Sequence, residues 1–277
     1  MNKKRDAKNK SYYIGLIIIH ILLLSMTLTK RKDRKTIFLT LLLIVGFAFH
    51  FEYPLYILKA YRYRTGILRT KEKDNSFGSV LSQALFVPSA AIFISAFQLG
   101  WKMKILFTFY FVFIERLFLK VKIFKNNWWH TSFTAISICT YFFVSDVCYK
   151  GIKKSKKLFS NLTLYHSIHL TYMSLLFSAS LFGLFRFTPT SRTTQPWYEH
   201  YSFTKVYLVI ETVITTFILE RKKKWLKVLP LFIIVIVDRV LLKMDRLKVK
   251  GSYWLGLFPI RMIAHLLSFQ LQRWIKK

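Results

Sequence analysis

The chain has 277 residues, 53 % of them apolar, with 44 Lys and Arg against 12 acids and a formal net charge of +32. Its apolar residues come in long blocks, which excludes an ordinary soluble domain, whose elements alternate apolar and polar residues. The charge alone would fit a nucleic-acid binder, but the basic residues cluster between apolar blocks, as in Lys30-Arg31-Lys32, Lys153-Lys154 and Arg221 to Lys224. Anionic lipid headgroups are the partner expected there, and nucleic acid is not.

Nine apolar segments follow one another: 12–29, 37–58, 78–100, 103–120, 128–149, 162–186, 203–220, 226–243 and 252–271. A helix needs about 20 apolar residues to cross roughly 30 Å of hydrocarbon, and only helices and closed barrels satisfy their backbone groups there. The run Leu231 to Val237 does not alternate as a barrel strand would. The sequence therefore predicts an all-α polytopic transmembrane helical bundle of eight or nine spans, forming one membrane domain over 1–277. The basic, then apolar, N-terminus reads as an uncleaved first span. All seven tryptophans, Trp101, Trp128, Trp129, Trp197, Trp225, Trp254 and Trp274, fall at or near segment ends, as an interfacial belt requires. Basic loops fall on both sides under strict alternation, so the orientation of the N-terminus stays open. Cys139 and Cys148 share one segment about 13 Å apart along a helix, too far for a disulfide.

Two stretches resemble each other, Phe107 to Glu115 and Phe203 to Glu211. In each case a Trp follows the Glu by fourteen residues, Trp129 and Trp225, and opens a segment ending near Asp146 or Asp238. Ser95-Ala96 with Gly100 parallels Ser178-Ala179 with Gly183. The expected organisation is N-terminal spans over 1–77, one three-helix unit over 78–149, a second over 162–243, and a final span over 252–271. The second unit is longer by the polar stretch Phe187 to Pro196. Three spans are an odd number, so the reading is an inverted repeat, a plan common in secondary transporters.

Five acids lie within apolar segments: Glu52, Glu115, Asp146, Glu211 and Asp238, joined by Arg116, Arg239 and Arg261. Each such charge costs about 2.5–3.5 kcal/mol on insertion scales, so each should face the bundle interior and find a partner on another helix. Thr108 with Glu115, and Thr204 with Glu211 and Thr215, share helix faces. Glu115, Glu211, Thr108, Thr204, Asp146 and Asp238 form the candidate intramembrane polar site. Thr134, Ser137, Tyr141, Ser145 and Cys148 form one further stripe, and Ser167, Thr171, Ser174 and Ser178 another, suited to close helix packing or to a polar cavity. His166 and His169 lack the further ligands of a metal site, and no metal or cofactor is expected. There is no phosphate-cradling loop, Gly-x-Ser-x-Gly elbow or zinc-protease motif.

Phe86-Val87-Pro88, Ile114-Glu115-Arg116-Leu117-Phe118 and Lys125-Asn126-Asn127-Trp128-Trp129, then a helix ending in an acid, occupy Ser82 to Gly151. This combination resembles an uncharacterised family of small multi-span membrane proteins from spore-forming bacteria. The resemblance implies a cell-membrane location, cytoplasmic or spore, and brings no activity. The functional expectation is a carrier or channel for a small polar solute or ion. A non-enzymatic membrane scaffold or assembly factor, with a role in sporulation, stands beside it. A membrane-embedded lipid enzyme is the third reading. The oligomeric state stays open.

Overall fold

The computed structural model describes residues 3–189, 195–221 and 223–276. Residues 190–194 of the polar stretch and Lys222 of the basic run lie outside the described residues. The helices are α1 (Lys3–Lys30), α2 (Arg34–Ile57), α3 (Lys71–Leu81), α4 (Val87–Phe97), α5 (Gly100–Lys120), α6 (Thr131–Lys153), α7 (Lys157–Leu181), α8 (Pro196–Leu219), α9 (Leu229–Lys243) and α10 (Tyr253–Lys276). A π-helical turn, Ser82–Phe86, joins α3 to α4 as one rod, and a 3-10 turn, Lys224–Val228, leads into α9. Each predicted segment lies on one of these helices.

Six helical spans are long and apolar enough to cross a membrane: α1, α2, the α3–α4 rod, α6, α8 and α10. The other three fall short for legible reasons. α5 carries Lys102, Lys104, Glu115 and Arg116, α7 is diluted by Ser, Thr and His, and α9 has only 15 residues. Large apolar side chains such as Ile18, Leu22, Phe109, Phe113, Phe182 and Leu255 are exposed, a surface compatible with a multi-pass membrane protein.

The chain divides into two compact units, 1–159 and 160–277. In unit 1, strands β1 (Tyr61–Tyr63) and β2 (Phe124–Asn126) follow α2 and α5 and pair antiparallel, Tyr61 opposite Asn126. The α4 rod is central, because Ser89, Ala90, Ala91, Ser95 and Ala96 let neighbouring helices approach closely. Ser95 Oγ meets Ser145 Oγ of α6 at 2.9 Å. At the other end of α2, the Asp33 carboxylate accepts hydrogen bonds from Tyr149 and Arg31. Burial pushes its pKa up, but these partners more than offset that and hold it below the ordinary carboxylate value.

In unit 2, strands β3 (Phe185–Phe187) and β4 (Leu247–Val249) follow α7 and α9 and pair antiparallel, Phe185 opposite Val249. Thr204, Leu208, Thr212 and Thr215 bury one face of α8, and Thr212 Oγ1 lies 3.1 Å from His169 Nδ1 of α7. The Ser174 and Ser178 end of the predicted stripe on α7 faces outward, while Tyr172, Met173 and Leu176 point in.

Both units therefore run helix, strand, helix, helix, strand, helix, unit 1 with α1 added in front. The turns match in detail. Before every strand the chain passes through a left-handed residue, Lys59, Lys122, Gly183 or Asp245. Each helix end closes with the same two backbone bonds, as in Ala60 N to Leu55 O with Lys59 N to Tyr56 O, and Leu184 N to Ala179 O with Gly183 N to Ser180 O. The third strand residue donates its N–H to a side chain of the next helix, Tyr63 to Asn75 Oδ1 at 2.8 Å and Phe187 to His200 Nδ1 at 3.0 Å.

These equivalences correct the expected three-helix units over 78–149 and 162–243. In the first of those stretches the strand lies between the second and third helices, and in the second it lies between the first and second. Phe107–Glu115 sits on α5 and Phe203–Glu211 on α8, which hold different places in their units. A unit of four helices has an even count, so the odd number from which inversion was predicted no longer applies.

Candidate functional site

Unit 2 carries a buried ionic cluster. Arg261 of α10 is fully buried, as is Asp238 of α9, and Glu211 of α8 nearly so. Arg261 Nη1 donates to both Glu211 oxygens at 2.9 and 2.7 Å. Its Nε and Nη2 donate to Asp238 Oδ2 and Oδ1, both at 3.1 Å. The planar fork thus spans two carboxylates from two helices, a geometry a lysine could not match. Tyr207 and Tyr253 complete the shell, donating to Asp238 at 3.0 and 3.1 Å. Two carboxylates and one guanidinium tie α8, α9 and α10 together, and every group is paired, as burial of charge demands.

Unit 1 has an opening at the corresponding place. A cavity of about 630 Å³ lies among α1, α2, the π turn, α5, α6 and the hairpin. Its wall is chiefly aromatic and aliphatic, and its lining includes Phe51, Phe133 and Ile136, which are also exposed on the outer surface. Its polar lining includes Tyr13, Tyr61, Tyr63, Gln83 and Glu115 near the hairpin strands and His20, Tyr110, Ser137, Thr140 and Tyr141 along α1, α5 and α6. The Tyr13 hydroxyl is buried and has no hydrogen-bond partner among the described residues. Glu115 Oε1 accepts from Thr131 Oγ1 at 2.8 Å and from Asn126 Nδ2 at 3.4 Å. No described basic side chain lies within ion-pair distance of it. Beside it, Glu52 of α2 accepts from Tyr61, from Ser79 at 2.8 Å and from Gln83 at 3.0 Å. Burial, then the Glu52 and Glu115 carboxylates, hold the Tyr63 hydroxyl of β1 well above its ordinary pKa.

The two places correspond residue by residue. Glu115 and Asp238 each lie nine residues before their strand. Gln83 and Tyr207 each lie twenty residues after the preceding strand and donate to a carboxylate. Ile138 and Arg261 each lie twelve residues after the second strand. Ile138 lines the cavity, and so do Thr134 and Tyr141, the counterparts of buried Leu257 and Ala264.

The predicted site residues are therefore divided. Glu211 and Asp238 meet at Arg261. Thr204 spends its hydroxyl on His200 O of its own helix at 2.6 Å, and Thr108 does the same with Lys104 O at 2.8 Å. Asp146 of α6 pairs with Lys104 of α5, eleven residues or about 16 Å along the helix from Glu115. Of the six, Glu115 alone lines the cavity. Among the described residues no three metal-ligating side chains converge.

Tyr13, Tyr61, Tyr63, Gln83 and Ile138 were not singled out as site residues from the sequence. The signal that could have found them is the pair Phe111–Lys120 (FVFIERLFLK) and Ile234–Lys243 (IVIVDRVLLK), with Tyr-Arg-Tyr against Phe-Arg-Phe in β1 and β3. No family model, curated protein or solved structure matches the chain.

Proposed function

We propose that the chain is a multi-pass membrane protein of eight or nine spans whose first unit holds a lipid-like amphiphile. The unit 1 cavity carries this reading. Its volume suits a drug-sized or single-chain ligand, and its wall is chiefly apolar with a minority of polar groups, Glu115 the one acid among the described lining residues, which is the pattern of a site for a molecule with a tail and a polar head. A carrier for a small polar solute or ion would call for a polar path, and the acids expected to line one are mostly paired: Asp146 with Lys104, Glu211 and Asp238 with Arg261. The amphiphile reading therefore stands ahead of the solute carrier. The scaffold reading keeps unit 2, where the Arg261 cluster ties three helices and leaves one guanidinium N–H uncommitted. The resemblance over Ser82 to Gly151 falls inside unit 1 and supports placing the protein in a cytoplasmic or spore membrane. Eight or nine spans are supported by α7, whose Thr163, His166, Ser167 and His169 are buried, and by the buried Lys104, Thr108 and Glu115 of α5 and Asp238 of α9.

The test is retention of a chain probe. Purified full-length protein, stripped of lipid, should bind a fluorescent fatty-chain probe with about one site per chain. Ile138→Trp, which puts a larger ring into the cavity beside the bound chain, should weaken it. Equal, non-saturating uptake by both proteins would mean partition into the surrounding micelle and would remove the reading.

A further inference from the structure

In unit 2, Asp238 is met by the guanidinium of Arg261, which reaches it from the position Ile138 holds in unit 1. In unit 1, the matching acid, Glu115, has the same place on its helix and faces a cavity where unit 2 has a cation. Ile138 is too short and carries no charge. Glu115 is 8 % exposed, so its carboxylate is largely out of water and still lacks a basic partner among the described residues. The buried Tyr13 hydroxyl, which also lines the cavity, is a second group without a partner there. Resting on the amphiphile reading above, we propose that the unit 1 cavity takes a long-chain amine, its ammonium against Glu115 where Arg261 stands against Asp238 in unit 2.

The chemistry is complementary throughout. An alkylammonium supplies a charge and up to three N–H donors. Glu115 Oε2, to which no described group donates, accepts one. The alkyl tail meets the aromatic wall and leads toward Phe51, Phe133 and Ile136 at the outer surface. A carboxylate head would meet Glu115 as a like charge, and an alcohol head would fill the same space without charge.

The experiment uses the full chain in a neutral, non-ionic detergent and three probes of one length: dodecylamine, dodecanol and dodecanoate. Each is titrated as a competitor against the bound fluorescent chain probe. The amine should compete about tenfold better than the alcohol, the ratio a single charge-assisted contact supports, and dodecanoate worst. Glu115→Gln should bring amine and alcohol together while leaving the alcohol unchanged. Ile138→Arg, which installs the unit 2 pattern, should exclude all three. If dodecanoate matches or beats the amine in the wild type, or if Glu115→Gln folds and keeps the full preference, the amine proposal is overturned while the amphiphile reading stands. If no probe competes saturably in the wild type, that reading falls first. The wild-type ranking alone decides the proposal should Glu115→Gln fail to fold.

Discussion

Unit 1 and unit 2 pass through the same elements in the same order and close their helices with the same turns, yet they treat one internal position in opposite ways. Unit 2 fills it with the long side chain of Arg261 and surrounds that charge with Glu211, Asp238, Tyr207 and Tyr253. Unit 1 leaves Ile138 there, and about 630 Å³ remains open. The difference teaches that, among the described residues, one order of helices and strands accommodates a buried ion cluster in unit 2 and a cavity in unit 1. The exchange of Arg261 for Ile138 decides the charge at that position, while the open volume comes from the many residues that line the cavity.

The comparison is sharpest at Arg261. Arg261→Ala removes the one cation between two buried carboxylates and should destabilise unit 2 by about 3–5 kcal/mol, the cost of stranding buried charge. Adding Glu211→Gln and Asp238→Asn should recover much of that loss, since neutral amides can bond each other. Thermal unfolding of the purified protein, read with protease sensitivity of unit 2, measures both. An Arg261→Ala protein as stable as wild type would show that the cluster does not hold the unit.

The next largest effect belongs to Gly78. A Cβ there would lie 2.4 Å from Tyr63 Cβ and 2.9 Å from Thr65 Cγ2, so β1 presses on α3 where only a hydrogen fits. Gly78→Ala should cost about 1–3 kcal/mol and loosen the hairpin end of the cavity, lowering probe affinity with it. Unit 2 has Ser202 at the matching place, so Ser202→Ala should change stability far less. Parallel unfolding and probe-binding curves for the two variants decide this.

Smaller effects are expected at the left-handed turns. Gly183 takes φ +73° with open space around it, so Gly183→Ala should cost about 1 kcal/mol from backbone conformation alone. Lys59 makes the same turn in unit 1 at φ 53°, and Lys59→Gly should stabilise by up to about 1 kcal/mol. Chemical unfolding of both variants is the check, and equal signs would show that the turns are not equivalent. The smallest effect is at Asp33. Its depressed pKa means that its contribution is present above the ordinary carboxylate pKa and is lost as pH falls through the folded value. Tyr149→Phe should weaken that acid dependence, measured as the melting temperature between neutral and acid pH.

Much of the frame was legible in the sequence. Every predicted segment lies on a helix, because blocks of apolar residues separated by Lys and Arg leave little choice of boundary. The repeat was legible only in part. Phe107–Glu115 and Phe203–Glu211 share residues that any aromatic membrane helix facing an acid tends to carry, and that likeness drew the register to the wrong pair of helices. The strands that fix the true register are three residues long, too short to show period-two patterning. The acids were visible as a set, but their partners were not. Lys104 and Arg261 lie far along the chain from Asp146 and Asp238, and only the fold brings each to its acid.

The short hairpins also set what the helices can do. In unit 1 the ladder from Tyr61–Asn126 to Tyr63–Phe124 locks the register of two helix ends. Sliding α5 along α2 by one residue would turn every strand side chain to the opposite face, exchanging Tyr61 and Tyr63 for Arg62. Piston-like motion is thereby forbidden, and the remaining freedom is angular. The hairpin holds the ends of α2 and α5 nearest Glu115 together, so angular displacement of these helices costs least at the ends farthest from it.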